Sequence, residues 1–443
     1  MMDRGRRRLT ISLVAIAIGL FIAVQPAAAA EPVVFGDPVA DVTFGSDITF
    51  SQPVTTVGEV ARVELLLGLP GALGPHAIEV PGRVQPGSTT VRHVFEAKPG
   101  DLTPNTRIEA RWRLTGVDGT ESVGPAVTAL YADDRFVWRT RIDGLMRLHW
   151  YEGDDAFADR ALKIADDGLE AAQSFLGVTE TEPIDFFVYA TADDIYEALA
   201  PDRENVGGQA YPAIRTLFAL INPSEIDDPW VGIVLPHEIT HLAFDSAVDN
   251  PYGYPPKWLN EGVAVYLSEG YTTGHRASVE AAVGGGTLIP LDGLVGQFPT
   301  TSDRFGLAYS ESVSAVDYLA RTHGEAALRG LIASYGKGMG DDEAFEAAIE
   351  IDPTAFDAAW RTELGADDPI VHGPRPGQAG PVPDGWGVET DPGGSPLPDV
   401  TPDGSSDTTS QGLTLVLVSA ALALAAVGAL AIRLRRNQPG RTA

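Results

Sequence analysis

The stretch "VLPHEITHLAF", Val234 to Phe244, decides how this chain is read. It contains H-E-x-x-H, with His237, Glu238 and His241. On an α-helix, residues four apart lie one turn from each other on the same face. Both imidazoles then reach one ion, and Glu238, offset around the helix, reaches a water bound to it. One residue resists this picture: Pro236 directly precedes His237. An interior proline costs a helix about 3 kcal/mol, so the helix is expected to start close to Leu235 or to kink there.

Imidazole nitrogen and carboxylate oxygen suit zinc, and a catalytic zinc needs three protein ligands and one open position. Two acidic residues are in range of the motif. Glu261 lies inside "WLNEG" on the next helical segment, and Asp245 lies one turn beyond His241. Glu261 is preferred, because "DSAVDNPYGYPP" between the motif and that segment is a turn-rich loop that lets the second helix fold back antiparallel. Asp245 stays open as a ligand or as a partner of one.

Working outward, the chain has 443 residues and no cysteine. It must therefore be stable through its cores rather than through disulfides. The net charge of −30 favours solubility and repels nucleic acid and anionic lipid.

Both ends are expected to be targeting segments. Residues 1–30 combine four arginines, an apolar run and "AAAA", the order of a secretory signal peptide. Residues 412–432 carry no charge and are followed by "RLRR", which predicts a transmembrane helix with residues 433–443 as a basic cytoplasmic tail. Between 366 and 411, Pro, Gly, Asp, Ser and Thr replace apolar periodicity, the composition of a disordered stalk.

The rest reads as two domains. Residues 31–135 hold short alternating runs such as "RIEARWRLTG", punctuated by Pro-Gly pairs and by the hairpin signal "GVDGT". This predicts an all-β, Ig-like sandwich. Residues 145–365 mix helices and strands. A helix is expected over Asp155 to Leu176, strands at "PIDFFVYAT" and "TLFALIN", and further helices at "PKWLNEGVAVYLSEG" and from Gly306 to His323. The fold class is thus α+β: a mixed sheet with a helical half, behind a sandwich and ahead of a membrane anchor.

"HEITH" followed by "NEG" resembles the gluzincin metallopeptidases. More narrowly, "GGQAYPAIRTLFALI", "LPHEITHLAF", "PKWLNEGVAVYLSEG" and "AYSESVSAVDYLARTHG" resemble, in order, the bacterial peptidase MA-like domain. The resemblance covers about Leu148 to Leu364. It implies that His237, His241 and Glu261 ligate one Zn2+ and that Glu238 is the general base. It also implies that an edge strand, for which "TLFALIN" is the candidate, holds the substrate backbone. Tyr309 is the candidate for oxyanion stabilisation, though a packed aromatic at a helix start has the same appearance.

The chain departs from the gluzincin pattern at two points. Val265 stands where thermolysin-like members have an acidic residue, so the partner of a ligand histidine must come from elsewhere, with Asp245 or a backbone carbonyl as candidates. "GGQAY" also offers no carboxylate for a free amino terminus, which favours endopeptidase over exopeptidase action.

The expected function is a membrane-anchored extracellular zinc peptidase acting on peptide or protein. The alternative is a non-enzymatic cell-surface binding protein whose metal site is structural, closed by a fourth ligand such as His275.

Overall fold

The computed structural model describes residues 33–200, 207–250 and 253–368. Residues 1–32 and 369–443, which hold the expected signal peptide, all of the expected stalk beyond residue 368 and the expected transmembrane helix, lie outside the described residues. Among the described residues no helix is long and apolar enough to cross a membrane.

The N-terminal part builds two antiparallel sheets. The first contains β1 (Val33–Phe35), β2 (Val39–Thr43), β3 (Asp47–Thr56) and β6 (Gly87–Glu96), with β3 paired to the other three. In the second, β4 (Val60–Gly68) joins β5 (His76–Val80) to β7 (Thr106–Gly116), which also pairs with β8 (Glu121–Val123) and β9 (Val127–Tyr131). Alternate residues of a strand share a face. Ile48, Phe50 and Val54 of β3 and Ile108, Trp112 and Leu114 of β7 are accordingly buried in one apolar core. The hairpin expected at "GVDGT" forms, with the Gly116 amide donating to the Thr120 carbonyl at 2.9 Å.

A second, mixed sheet follows. Its strands are β10 (Arg139–Asp143), β11 (Met146–Trp150), β12 (Ile184–Tyr189), β13 (Gly208–Tyr211) and β14 (Thr216–Leu220), in the order β10-β11-β12-β14-β13. Strands β11, β12 and β14 run parallel, and the two outer strands are antiparallel to their neighbours. One expectation is corrected here. "TLFALIN" is β14, an interior strand, and the edge is β13, the "GQAY" just before it. Four residues with a leading glycine show no strand period, whereas β14 is buried on both faces and reads as a continuous apolar run.

Helices cover the sheet asymmetrically. On one face, α1 (Asp155–Leu176) and α3 (Val231–Val248) pack over Leu148, Phe186, Val188, Leu217 and Ala219. The Asp154 side chain caps α1 by accepting from the Phe157 amide, and Gly177 closes it in the left-handed conformation. On the other face, Tyr189 and Phe218 pack with α2 (Ala192–Leu199), Phe136, Trp138 and, from the sandwich, Phe44.

The C-terminal half is helical: α4 (Lys257–Ser268), α5 (Thr273–Gly285), α6 (Ser302–His323), α7 (Glu325–Gly336), α8 (Asp341–Ile349) and α9 (Pro353–Leu364). Leu259, Val263, Val313, Leu319, Phe345, Phe356 and Trp360 form its core. Helices α4 and α6 touch at backbone distance. A Cβ on Gly262 would stand 2.6 Å from the Ser312 carbonyl oxygen, so only glycine fits there.

Candidate metal centre

Helix α3 is apolar nearly all round, as a helix buried on every side must be. Val234, Leu235, Ile239, Leu242 and Phe244 are all buried. The motif residues His237, Glu238 and His241 therefore sit in the interior, each no more than 2% exposed. Pro236 lies inside α3 rather than at its start. Its ring is accommodated where α1 presents Gly168, on which a Cβ would come within 2.9 Å of the Pro236 Cα.

Helix α4 supplies the third donor. The His237 and His241 Nε2 atoms are 3.2 Å apart, and Glu261 Oε2 lies 3.5 Å from the first and 3.4 Å from the second. Ligands about 2.1 Å from a tetrahedral zinc stand about 3.4 Å from one another. The three atoms thus form one face of such a tetrahedron, and Glu261 Oε2, though buried, has no hydrogen bond of its own. Among the described residues this is the one group of His, Cys, Asp or Glu side chains with ligand geometry. The triad fits a single zinc.

The atoms around the triad fix its orientation. Asn260 Oδ1 lies 2.9 Å from His241 Nδ1, so Nδ1 carries the hydrogen and Nε2 is left as the donor to a metal. Asn260 in turn donates to the Tyr254 hydroxyl at 3.2 Å. Lys257 Nζ stands 3.6 Å from Glu261 Oε1, holding the carboxylate's other oxygen away from the histidines.

Charge follows the same design. Burial would raise the Glu261 carboxyl, but His241, His237 and Lys257 together hold it well below the usual range. Burial lowers His237. It also acts to lower His241, but the Glu261 charge outweighs it and raises that imidazole. Burial pushes the Glu238 carboxyl up to about 8, outweighing the opposing charge of His241.

Glu238 meets the edge strand. The Gly207 carbonyl accepts from the Leu220 amide, so odd-numbered residues of β13 bond to β14. Gly208 and Ala210 therefore turn their backbone groups outward. The Ala210 amide faces the Glu238 carboxyl, and a Cβ on Gly208 would stand 2.7 Å from the Glu238 Cγ. Glu238 Oε2 is buried without a partner.

Not all candidates join this centre. Tyr309 does: its ring lies 6.4 Å from that of His237, braced edge-on by Phe298 and Phe305. Asp245 is neither a ligand nor the partner of His241; burial raises its carboxyl to about 6, and Asn260 takes the partner's place. Sequence reasoning missed that asparagine, although it stands next to Glu261 in "WLNEG". Nor is His275 a fourth ligand, since its nitrogens lie 3.1 Å from Ser310 Oγ and from Glu269 Oε1.

Residues 164–366 match the family described as the Peptidase MA superfamily. No curated protein matches the chain. Among solved structures, an M1 zinc metallopeptidase from Deinococcus radiodurans shares 13% identity over 72% of this chain and 90% of its own, with a TM-score of 0.36. A substituted form of that protein, bound to a Tyr-Ser-Ala substrate, shares 14% over 71% and 90%, with a TM-score of 0.35. An aminopeptidase N family protein from Idiomarina loihiensis shares 10% over 76% and 72%, with a TM-score of 0.29.

Proposed function

We propose, from the place of residues 164–366 in the Peptidase MA superfamily, that this zinc metallopeptidase cleaves internal peptide bonds of extended substrates. The single observation that carries the reading is the convergence of His237, His241 and Glu261 beside an unpartnered Glu238 oxygen. Zinc held by the triad supplies a Lewis acid that polarises the scissile carbonyl and makes a bound water acidic near neutral pH.

The chain's own residues do the remainder. Glu238, next to the ligand His237, takes the proton from the attacking water and returns it to the leaving amine. The outward N–H and C=O groups of Gly208 bond the substrate backbone as an added strand. Tyr309 donates to the developing oxyanion. Endopeptidase action is favoured because the outward positions of β13 are Gly208 and Ala210, and neither can bind a free amino terminus through a carboxylate.

We further propose that the enzyme acts outside the cell, held by a C-terminal membrane helix. Residues 1–30 and 412–432 of the sequence support this. The test of the chemistry is Glu238→Gln. It should keep zinc and lose peptide cleavage by about a thousandfold or more. Near wild-type cleavage by that variant would remove Glu238 from the role of base.

A further inference from the structure

We infer that the N-terminal sandwich is a positioning element of the catalytic cleft, acting on the substrate-binding edge strand through Asn105 and Thr103. This rests on the reading of β13 as that strand.

One transverse row of the mixed sheet carries the argument. Arg147 of β11 is in register with Asp185 of β12, Asp185 with Thr216 of β14, and Thr216 with Tyr211 of β13. The sandwich reaches this row from the loop that enters β7. The Asn105 amide group donates to Asp185 Oδ2 at 3.0 Å and to Thr216 Oγ1 at 2.9 Å, so both of its hydrogens are used. Two residues earlier, the Thr103 side chain lies beside the Tyr211 hydroxyl, as does the Gln209 side chain. The sandwich thus grips β14 directly, at the residue in register with Tyr211, and meets β13 at Tyr211 itself.

Both ends of the grip are themselves fixed. Asn105 has φ +69°, a left-handed conformation that asparagine adopts more readily than most residues, and its amide donates to the Tyr131 carbonyl at 2.7 Å. Asp185 is held by Arg147 at 2.7 Å and by His149 at 2.8 Å. Strand alternation then completes the geometry. Gln209 and Tyr211 face the sandwich side of the sheet, while Gly208 and Ala210 face α3 and Glu238. An edge strand has a sheet neighbour on one side only, so its position depends on what packs against its faces. Here α3 supplies one face, and Thr103 acting on Tyr211 supplies the other.

The test uses the full chain and two variants. Asn105→Gly keeps the left-handed backbone and removes the amide; Thr103→Val removes a hydroxyl at constant shape. Hydrogen exchange, read without substrate, should rise about tenfold at the amides of Gln209 and Tyr211, which bond to β14, and stay unchanged in α3. Zinc content should not move. With a quenched peptide, KM should rise about tenfold and kcat change less than twofold. Unchanged exchange in β13 would overturn the inference, as would an equal rise through α3 and the sandwich core. A wild-type chain that binds zinc but cleaves no peptide would instead refute the peptidase reading, and the exchange data would still decide whether the sandwich positions β13.

Discussion

Asn260 and His241 are bound side chain to side chain, Oδ1 to Nδ1 at 2.9 Å, both buried and on different helices. The contact sets which imidazole nitrogen faces the metal and locks α4 to α3 beside its own ligand, Glu261. Removing it leaves a buried N–H without a partner and a ring free to turn. Asn260→Ala should weaken zinc binding by about 10- to 100-fold. Asn260→Asp, which restores the acceptor, should recover most of that. Chelator competition reads both affinities.

Gly208 tests the contact between the edge strand and the base. A methyl group there would meet the Glu238 Cγ at 2.7 Å and the Val234 Cγ2 at 3.2 Å. Gly208→Ala should displace Glu238 without touching a ligand. Zinc content should stay at the wild-type level, while kcat/KM falls at least about tenfold. Loss of zinc in that variant would show that the strand supports the triad rather than the base.

Gly262 tests the helical half. Alanine is the better helix former by about 1 kcal/mol, yet its Cβ would meet a backbone carbonyl, which cannot rotate away. The clash should win, and Gly262→Ala should lower stability by about 1–3 kcal/mol. A lower urea midpoint at unchanged slope would show it.

Glu311 gives the fold a pH dependence away from the metal. The side chain is fully buried on α6, and both its oxygens lie near the Ile289 amide, at 3.1 and 3.2 Å. Burial raises its carboxyl to about 8. The folded chain therefore holds a proton that the unfolded chain releases near pH 4.5. Its contribution is complete below that pH and is lost as pH rises toward 8, by up to about 1.4 kcal/mol per pH unit. Glu311→Gln keeps an acceptor for Ile289, so its stability should be flatter between pH 5 and 8. Denaturant titrations across that range would show the difference in slope.

The metal centre was largely legible because its signals are local. H-E-x-x-H places two donors by helical spacing alone, and "NEG" after a turn-rich loop offers the third. Helix α1 matches its expected bounds, Asp155 to Leu176, because Asp154 and Gly177 cap a regular apolar period. What stayed hidden depends on contacts distant in sequence. Strand β13 is too short to carry a period and is defined by its pairing with β14. Asn260 precedes a ligand, but nothing in a polar residue's neighbours says which way its side chain turns. Asn105 meets partners 80 and 111 residues away, and no local pattern reports such pairs. Pro236 argued for a late helix start; the opposing fact, a glycine on α1 beneath its ring, lies on another element.

The central claim, a zinc held by His237, His241 and Glu261, is tested most directly by metal content. The chain should be purified without chelator and its metals quantified beside His241→Ala and Glu261→Ala. The account expects about one zinc per chain, lost in both variants while the fold survives. A wild-type chain without bound metal, or one whose zinc persists in both variants, would contradict it.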